Sequence, residues 1–401
     1  MKDVYNRLLS LEPRGIMLGT ERIAALMEPL GHPERAASRT VTVTGTNGKG
    51  SVAATISAAA HRAGTKVGLY TSPHLISPTE RFRVGEQDMD EATFARLGAQ
   101  VLDTADRHAI ELTFFEALTA MAFLWFKEQK VELQVLEVGL GGARDATAVV
   151  TPDIGVLTGI AQDHTELLGD TMEEIAREKL GAFKAKTEIV AAIPPSLLHV
   201  APSGWLLDRN LRWRRTSTGL RVQGPFGIIF LPEPKLIGQH QYRNAAVASA
   251  ALVRLGYSER QIGEGMRHVR WPGRCHFLPG TPPVLVDGAH NPDGVRALVN
   301  SLPEFDIAPG YTLVFGAHPK KDISRMLKRM AETAGRIILT TVPRLLKPNE
   351  VAAFMGRRMG VSTESNLAAA LASARALGKP VVVAGSLYLA GAVLDLERQR
   401  G

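Results

Sequence analysis

The segment from Thr40 to Ala54, "TVTVTGTNGKGSVAA", decides the fold of the first half of the chain. "TVTV" predicts a strand, and "SVAATISAAAHRAG" predicts a capped helix that begins near Ser51. Gly45 and Gly48 permit positive-φ turns that aim successive backbone N–H groups at one point. A strand, a glycine loop and a helix N-terminus together form a binding site for anions such as nucleotide phosphates.

The loop nevertheless departs from the Walker pattern, in which G-x-x-x-x-G-K is followed directly by Ser or Thr. Val43 stands at the position of the first glycine, and Gly50 at the position of the hydroxyl. A plain strand-to-helix turn would account for the glycines but not for a lysine flanked by them. We therefore interpret the stretch as a nucleotide loop in which Lys49 reaches the terminal phosphates and Ser51 or Thr46 contacts a metal. The predicted ATP contacts of the loop are Thr46, Asn47, Gly48, Lys49, Gly50 and Ser51.

The bulk composition limits the class of protein. A chain of 401 residues suggests about two domains. Its single cysteine, Cys275, excludes an intramolecular disulfide and indicates a buried or incidental thiol in a reducing compartment. Charges in "MKDVYNRLLSLEPRG" do not fit a signal peptide, and the apolar run from Val381 to Leu394 is shorter than the roughly 20 residues that span a bilayer. We expect a cytoplasmic protein with no membrane partner.

A net charge of +7 raises the question of nucleic-acid binding. The stretch from Trp205 to Arg215, "WLLDRNLRWRR", interleaves arginine with tryptophan. The turn "TSTG" and the alternating "LRVQG" that follow it favour a solvated hairpin. We therefore expect no nucleic-acid partner, and a basic surface also suits an anionic small-molecule substrate.

Short apolar runs alternate with helix-length segments in both halves of the chain. This alternation predicts α/β domains with mainly parallel sheets covered by helices. The stretch "RWPGRCHFLPGTPP" divides the two series, and its prolines and glycines make it a poor setting for any regular element. We expect an N-terminal P-loop ATPase-type domain over residues 1–272, a linker over 273–282 and a smaller Rossmann-like domain over 283–401. The runs predicted as strands are "TVTVTG", "KVGLYTS", "LQVLEVG", "DIGVLTGI" and "TEIVAAI", then "VLVDGAH", "YTLVFGA", "RIILTTV" and "PVVVAGS".

Nine stretches of this chain resemble, in order, the folate branch of the Mur ligase superfamily, namely folylpolyglutamate synthase and dihydrofolate synthase. The loop "GTNGKGS" resembles the form that this loop takes in that superfamily. The matching stretches are "RGIMLGTERIAALMEPLGHP", "GLYTSPHL" with "ERFRV", "LTFFEALTAMAF", "LEVGLGGARDAT", "AQDHTELLGDTMEEIAREKLG", "GQHQYRNAAVASAAL", "WPGR", "VDGAHNPDG" and "GSLYLAG". Any one of them is a weak signal, whereas nine in order are specific.

The resemblance implies an ATP-dependent ligase that joins L-glutamate to a pterin or folate acid. A carboxylate must first take the γ-phosphoryl group, after which the amine of glutamate attacks and phosphate leaves. This chemistry calls for a lysine, backbone N–H groups and a divalent metal, here ATP with Mg²⁺ at two sites. The substrates are small molecules, and we expect a monomer. Two alternatives stay open: a Mur-type ligase for another acid and amino acid, and a catalytically silent ATP-binding regulator.

The resemblance also implies metal ligands at the ends of predicted strands. Ser72, Glu137 and His164 match the family's Mg²⁺ positions, together with Ser51 of the loop. The carboxyl ends of parallel strands are where such sheets bind ligands. Without the family, Glu137 is equally an ion-pair partner and His164 a helix cap.

Further roles are carried over from the family residue by residue. Lys179 in "IAREKLG" matches a lysine that carries a carbamate, and an ordinary surface lysine is the alternative. His290 is expected to act in catalysis and, with Ser386, to contact glutamate, although Ser386 could simply cap the last helix. The remaining expected ATP contacts are Asn244, Arg274 and Asp287, besides His290.

The acceptor pocket is expected at two stretches, "LTFFEALTA" and "GGARDATA". The first supplies aromatic faces and a carboxylate for a pterin ring. The second departs from the family's usual "GGRLDATN", with Arg144 at the leucine position and Ala148 at the asparagine position. We expect Arg144 either to extend to solvent or to pair with an anionic group of the substrate, in which case it favours a glutamylated folate over dihydropteroate. The expected substrate contacts are Thr113, Phe114, Phe115, Glu116, Arg144, Asp145, Ala146 and Ser386.

Overall fold

The computed structural model describes residues 2–15, 17–356 and 359–400. It forms two compact units, each built from more than one stretch of the chain. Unit 1 comprises Met1–Pro73, Thr79–Lys235 and Tyr242–Val269. Unit 2 comprises His74–Pro78, Leu236–Gln241 and Arg270–Gly401.

Helices and strands alternate along most of the chain, as predicted. The α-helices are α1 Lys2–Leu9, α2 Glu21–Met27, α3 Lys49–Arg62, α4 Glu91–Arg107, α5 Phe114–Glu128, α6 Thr165–Leu168, α7 Met172–Leu180, α8 Gln239–Arg254, α9 Glu259–His268, α10 Pro292–Ser301, α11 Ile323–Ala331, α12 Pro348–Ala352, α13 Leu367–Ala376 and α14 Leu387–Arg398. Short 3-10 helices lie at Glu12–Arg14, Pro33–Arg35, Pro78–Arg81, Ala146–Val149, Pro195–Val200, Leu302–Phe305 and Ala353–Met355.

The strands fall into one sheet of eight, one of three and one of six. They are β1 Arg39–Thr44, β2 Val67–Tyr70, β3 Phe82–Val84, β4 Gln87–Asp88, β5 Leu133–Glu137, β6 Ile154–Leu157, β7 Glu188–Ala191, β8 Trp205–Leu206, β9 Arg212–Thr216, β10 Gly219–Gly224, β11 Gly227–Leu231, β12 His276–Leu278, β13 Val284–Val286, β14 Thr312–Phe315, β15 Arg336–Leu339, β16 Val361–Thr363 and β17 Val381–Ala384.

The large sheet of unit 1 has the order β4-β3-β2-β5-β1-β6-β7-β8. Neighbours from β2 to β8 pair in parallel, and the antiparallel pairings of this sheet are β2 with β3 and β3 with β4. Val43 of β1 lies opposite Glu137 of β5, and Thr44 lies opposite Leu157 of β6. The carboxyl ends of β5 and β6 therefore flank the point where β1 enters the glycine loop, which confirms the mainly parallel sheet.

Burial on both faces explains why the central strands carry few charged side chains. β5 and β6 are buried at every position, and β1 at every position after Arg39. On one side α5 is almost entirely buried, and its side chains form the main core cluster of unit 1 with α2 and α4. A helix that is apolar all round belongs in such a core.

The predicted hairpin is present as the antiparallel sheet β11-β10-β9, and its turn lies between Thr216 and Gly219. The first strand of the hairpin begins at Arg212, whereas the arginine- and tryptophan-containing stretch discussed above begins at Trp205. Trp205 instead lies in β8, at the edge of the large sheet, with the guanidinium of Arg254 3.9 Å from its ring centroid. This cation–π contact covers an aromatic face that would otherwise be exposed at a sheet edge.

Unit 2 holds a second mixed sheet of order β12-β13-β17-β14-β15-β16, in which only β12 is antiparallel. Two clusters of buried side chains cover its faces, so unit 2 has a core of its own. The expectation that the stretch before β13 holds no regular element was wrong at His276–Leu278, which pair with Val284–Val286. An edge position explains this, because an edge strand tolerates nearby prolines and needs partners on one side only.

Candidate functional site

The glycine loop is shaped by two positions that only glycine fits. Gly45 has φ 145° and Gly48 has φ 86°, in the region that favours glycine. A Cβ at Gly45 would lie 2.1 Å from Thr158 Oγ1, and one at Gly48 would lie 2.6 Å from Asn244 Oδ1. Asn244 of α8 therefore lies directly against the loop, where the family resemblance places an ATP contact.

Hydrogen bonds to the segment after β6 hold the loop in place. The Thr46 hydroxyl lies 3.0 Å from both the carbonyl oxygen and the N–H nitrogen of Ala161, donating to one and accepting from the other. The Thr158 hydroxyl donates to the Asn47 carbonyl at 2.6 Å. Since the Thr46 hydroxyl is used in these bonds, Ser51, which is buried in the first turn of α3, is the better candidate for a metal contact.

Two lysines converge on one carbonyl oxygen of this loop. Lys49 Nζ lies 3.1 Å from the Gly45 carbonyl oxygen and 3.3 Å from that of Thr46. Lys179 Nζ of α7 lies 3.2 Å from the same Gly45 oxygen, with only 4% of the residue exposed. Burial, reinforced by the charge of Lys49, lowers the pKa of Lys179 to about 7. Near neutral pH a substantial fraction of Lys179 is therefore an uncharged, nucleophilic amine.

The predicted metal ligands lie at the carboxyl ends of β2, β5 and β6. Glu137 is the last residue of β5 and is 5% exposed. Its Oε2 accepts the Ser72 N–H at 3.2 Å, so the structure brings Ser72 and Glu137 together. His164 follows β6 with φ 53° and is the N-cap residue of α6, and its N–H donates to Asp163 Oδ1.

Hydroxyl, carboxylate and imidazole groups suit a divalent cation, and a buried carboxylate such as Glu137 is stabilised by one. Over residues 2–15, 17–356 and 359–400 no three His, Cys, Asp or Glu side chains form a metal-binding cluster. The predicted set does not require such a cluster, because two of its members are the hydroxyls of Ser51 and Ser72.

The predicted acceptor stretch at α5 has a structural role that sequence reasoning missed. Thr113 and Glu116 form a capping box, in which Glu116 Oε2 accepts from the Thr113 N–H and hydroxyl, both at 2.8 Å. Glu116 is 2% exposed, and its Oε1 lies 3.0 Å from Arg22 Nη2. The pattern Thr-x-x-Glu is the visible signal for the cap, whereas nothing in it points to Arg22.

The aromatic residues of that stretch pack as expected for an apolar wall. The ring centroids of Phe115 and Tyr70 are 5.9 Å apart. A Cβ at Gly139 would lie 2.6 Å from Phe115 Cζ. The guanidinium of Arg81 lies 5.6 Å from the centroid of Phe114. The two rings are therefore held by different neighbours.

The second acceptor stretch is organised by a buried carboxylate. Asp145 is 4% exposed, and it accepts from the Leu140 N–H at 3.0 Å and from the Thr147 N–H and hydroxyl at 2.9 and 2.7 Å. Burial raises the pKa of Asp145, and these hydrogen bonds oppose the rise. Asp145 thus fixes the loop between β5 and the 3-10 helix that contains the buried Ala146.

Arg144 pairs with another residue of the protein, whereas the sequence led us to expect either solvent or an anionic group of the substrate. Its side chain is 49% exposed, but its Nε donates to Glu178 Oε2 at 3.1 Å and its Nη2 to the Leu167 carbonyl at 3.2 Å. The guanidinium therefore pairs with a carboxylate of α7 rather than lying unpaired in solvent. The pairing was not predictable because 34 residues separate the two side chains along the chain.

In unit 2, Asp287 follows β13 and is 6% exposed. Its two oxygens accept from the N–H groups of Cys275 and Ala289, both at 2.7 Å. Arg274 packs close by, since a Cβ at Gly288 would lie 2.5 Å from its Nη1. Burial, then Asp287, raises the pKa of the Cys275 thiol, which is buried as expected.

The two residues that are predicted to contact glutamate both follow strands of the unit 2 sheet. His290 follows β13, and its Nδ1 lies 2.9 Å from the Gly288 carbonyl oxygen. Ser386 follows β17 and caps α14, with its Oγ accepting the Tyr388 N–H at 3.1 Å. The capping role considered for Ser386 is therefore real, and it still leaves the hydroxyl proton available for donation.

The parallel sheet, the loop between β1 and α3, and the lysines at Gly45 define a nucleotide-dependent enzyme of the P-loop class. The Mur ligase middle domain matches residues 43–195, and the Mur ligase glutamate ligase domain matches residues 273–387. The folylpolyglutamate synthase of Lacticaseibacillus casei is 33% identical over 403 residues, which cover 93% of this chain and 92% of that protein.

Solved structures resemble this one over almost its whole length. Escherichia coli FolC in complex with DHPP and ADP has a TM-score of 0.90 at 32% identity, covering 99% of this chain and 98% of that one. The bifunctional folylpolyglutamate synthase/dihydrofolate synthase of Yersinia pestis CO92, complexed with AMPPNP and Mn ion, has a TM-score of 0.88 at 31% identity, covering 98% of both chains.

The chain belongs to the folylpolyglutamate synthase/dihydrofolate synthase family of Mur ligases. It is an ATP-dependent, ADP-forming ligase. Within the described residues, no helix has the length and apolarity needed to cross a bilayer.

Proposed function

We propose that this ligase adds L-glutamate to both dihydropteroate and tetrahydrofolate, by way of an acyl phosphate, with release of ADP and phosphate. The observation that carries the proposal is the bent glycine loop with Lys49 and Lys179 at one carbonyl oxygen. Phosphoryl transfer depends mostly on positioning and on neutralising charge, and backbone N–H groups and lysines in this arrangement suit both tasks.

Each loop residue has a defined part in the reaction. Lys49 leaves the Gly45 carbonyl to contact the β- and γ-phosphates as a point charge, while the backbone N–H groups of the loop and the first turn of α3 bind phosphate oxygens. Ser51, Ser72, Glu137 and His164 hold Mg²⁺ at two sites, and the metal neutralises charge on the phosphates.

Lys179 is proposed to act as a carbamate. Its uncharged amine attacks the carbon of CO₂, one proton leaves, and the resulting anion replaces a cation that would repel a metal. The pKa of about 7 favours this step, because only the neutral amine is a nucleophile. The new anion also neutralises the positive charge of nearby Lys49.

The residues of unit 2 are proposed to bind the other substrate groups. His290 and the Ser386 hydroxyl contact the incoming glutamate, and His290 acts in catalysis. Arg274 and Asp287 contact ATP, as does Asn244 of unit 1, which already lies at Gly48.

The acceptor acid is proposed to bind at Thr113–Glu116 and Asp145–Ala146. Phe114 and Phe115 supply the apolar faces that a pterin ring requires. We further propose a monomeric, cytoplasmic enzyme without a nucleic-acid partner, in which the ATP-binding domain lies within residues 1–272 and the glutamate-ligase domain contains residues 283–401.

A phosphate-release assay tests the proposal. The wild-type protein is incubated with ATP, Mg²⁺ and L-glutamate together with dihydropteroate, tetrahydrofolate or a muramyl acceptor, and each component is omitted in turn. Phosphate should appear with either pterin-containing acid, and only when the acid and glutamate are both present. Release with the muramyl acceptor alone would indicate another Mur-type ligase, and ATP binding without release under any condition would indicate a regulator.

A further inference from the structure

The loop that follows β5 is packed unusually tightly against the end of α7. A Cβ at Gly142 would lie 2.4 Å from the carbonyl oxygen of Lys179, and one at Gly181 would lie 2.6 Å from Ala143 Cβ. The Ala143 N–H donates to the Glu178 carbonyl oxygen at 2.9 Å. A shift of either backbone would therefore move the other.

Arg144 adds three hydrogen bonds between this loop and the two helices. Its N–H and its Nε donate to the two oxygens of Glu178, at 3.3 and 3.1 Å, and its Nη2 donates to the Leu167 carbonyl at 3.2 Å. The Glu178 side chain is only 12% exposed. One arginine thus ties the loop after β5 to both α6 and α7.

The residue next to Glu178 is Lys179, whose amine reaches the glycine loop at Gly45. Consecutive helix residues point in directions about 100° apart, so Glu178 and Lys179 face different neighbours on one rigid turn. Holding Glu178 therefore sets where the backbone of Lys179 lies.

We propose that Arg144 is a positioning residue, which holds the last turn of α7 through Glu178 so that Lys179 stays at the Gly45 carbonyl. The inference rests on the proposed function, in which Lys179 acts. It replaces the expectation that Arg144 pairs with an anionic group of the substrate, because Glu178 is the anion that Arg144 contacts.

The test compares Arg144→Leu, Arg144→Lys, Glu178→Gln and the Leu/Gln double variant with the wild type. Arg96→Leu is the matched control, because Arg96 forms a two-point ion pair with Glu128 at 2.8 and 2.6 Å in another part of unit 1. kcat and KM are measured with dihydropteroate and with a glutamylated folate. The Lys179 carbamate is followed by ¹³C NMR in labelled bicarbonate, and a Lys179→Ala variant assigns its signal.

Arg144→Leu should lower kcat by roughly tenfold to a hundredfold for both acceptors alike, because a small misplacement of a catalytic group has effects of that size. KM for both acceptors should change little, and the carbamate signal should weaken. The double variant should be no worse than Arg144→Leu, since the two residues act as one unit. Arg144→Lys should retain more activity than the leucine variant, and Arg96→Leu should match the wild type.

Two results would overturn the inference. A rise in KM for the glutamylated folate alone would make Arg144 a substrate contact, and a profile equal to that of Arg96→Leu would make its ion pair an ordinary surface pair. If the wild type shows no ligase activity, the proposed function fails separately. The NMR comparison of the wild type with Arg144→Leu and Arg144→Lys then still decides whether Arg144 positions Lys179.

Discussion

Lys49 and Lys179 are the residues on which most of the proposed chemistry depends. Both amines lie within hydrogen-bonding distance of the Gly45 carbonyl oxygen, although the two residues come from helices far apart in the chain. Two ammonium groups at one oxygen repel each other, which is one reason that the pKa of Lys179 is low. In the proposed function, Lys49 supplies the positive charge for phosphates and Lys179 supplies the reactive amine beside it.

We predict that Lys49→Ala folds normally and loses at least roughly a hundredfold in kcat, because a point charge placed for the transition state has no substitute in the loop. Phosphate release measures the activity, and circular dichroism checks the fold. Lys66→Ala removes an exposed lysine just before β2 and should behave as the wild type. Near-normal turnover of Lys49→Ala would contradict the assigned role.

Lys179 should also make stability depend on pH. Burial lowers its pKa to about 7 in the folded state, whereas an unfolded lysine titrates near 10.4. Between these values the unfolded chain binds a proton that the folded chain does not, so this group makes the free energy of unfolding increase with pH. Below about pH 7 both states are protonated, and this contribution no longer changes.

We predict that Lys179→Met removes this contribution, which is about 1–2 kcal/mol between pH 7 and 8.5. Urea unfolding in CO₂-free buffer measures it. The measurement stops at pH 8.5 because the pKa values of Cys275 and Tyr70 are raised in the folded state. In more alkaline solution these two groups make the free energy of unfolding fall with pH. Equal slopes for the variant and the wild type would show that Lys179 stays charged in the fold.

Among the elements of unit 1, the strand, glycine loop and helix around β1 and α3 show how local chemistry produces a site. The loop has positive-φ glycines at Gly45 and Gly48, and the segment after β6 bonds to the Thr46 hydroxyl and to the Asn47 carbonyl. The element therefore has a local shape that the neighbouring strand keeps in place.

We predict that Gly48→Ala weakens ADP binding by at least roughly tenfold, whereas Gly64→Ala at the other end of α3 does not. Both glycines have similar positive φ, 86° and 91°, so both variants should lose about 1 kcal/mol of stability. Only at Gly48 would the new Cβ meet a neighbour, Asn244, and a Cβ at Gly64 has no atom within 4 Å. Calorimetric titration with ADP measures affinity, and equal affinities for the two variants would refute a shape-dependent loop.

For the whole molecule, the main feature is that each unit has its own hydrophobic clusters. Those of unit 1 lie around α5 and around β7, and those of unit 2 lie on the two faces of its mixed sheet. A unit with a complete core can unfold cooperatively by itself, and chains of this length often deviate from two-state behaviour.

We therefore predict two transitions in scanning calorimetry. Phe123→Ala in α5 and Phe315→Ala in β14 each remove a fully buried ring, at a cost of about 3–5 kcal/mol. Each variant should lower the temperature of one transition and leave the other in place. A single transition that both variants shift would mean that the units unfold together.

The sequence by itself was sufficient for the fold class, for most of the parallel strands and for the family. Apolar runs on both faces predicted the parallel strands, and "GTNGKGS" predicted a phosphate loop despite its departure from the Walker pattern, because glycine chemistry and hydrophobic periodicity are local properties. The strand β12 was missed because a proline-rich neighbourhood argues against a strand until its edge position is known.

Only the tertiary structure decided which side chains meet. Lys179 and Gly45 are 134 residues apart, Arg22 and Glu116 are 94 apart, and Arg144 and Glu178 are 34 apart. Such contacts depend on the strand order, which places β5 and β6 on either side of β1, and no local pattern encodes that order. The lowered pKa of Lys179 and the ion pair of Arg144 follow from burial and proximity, which exist only once distant segments have packed.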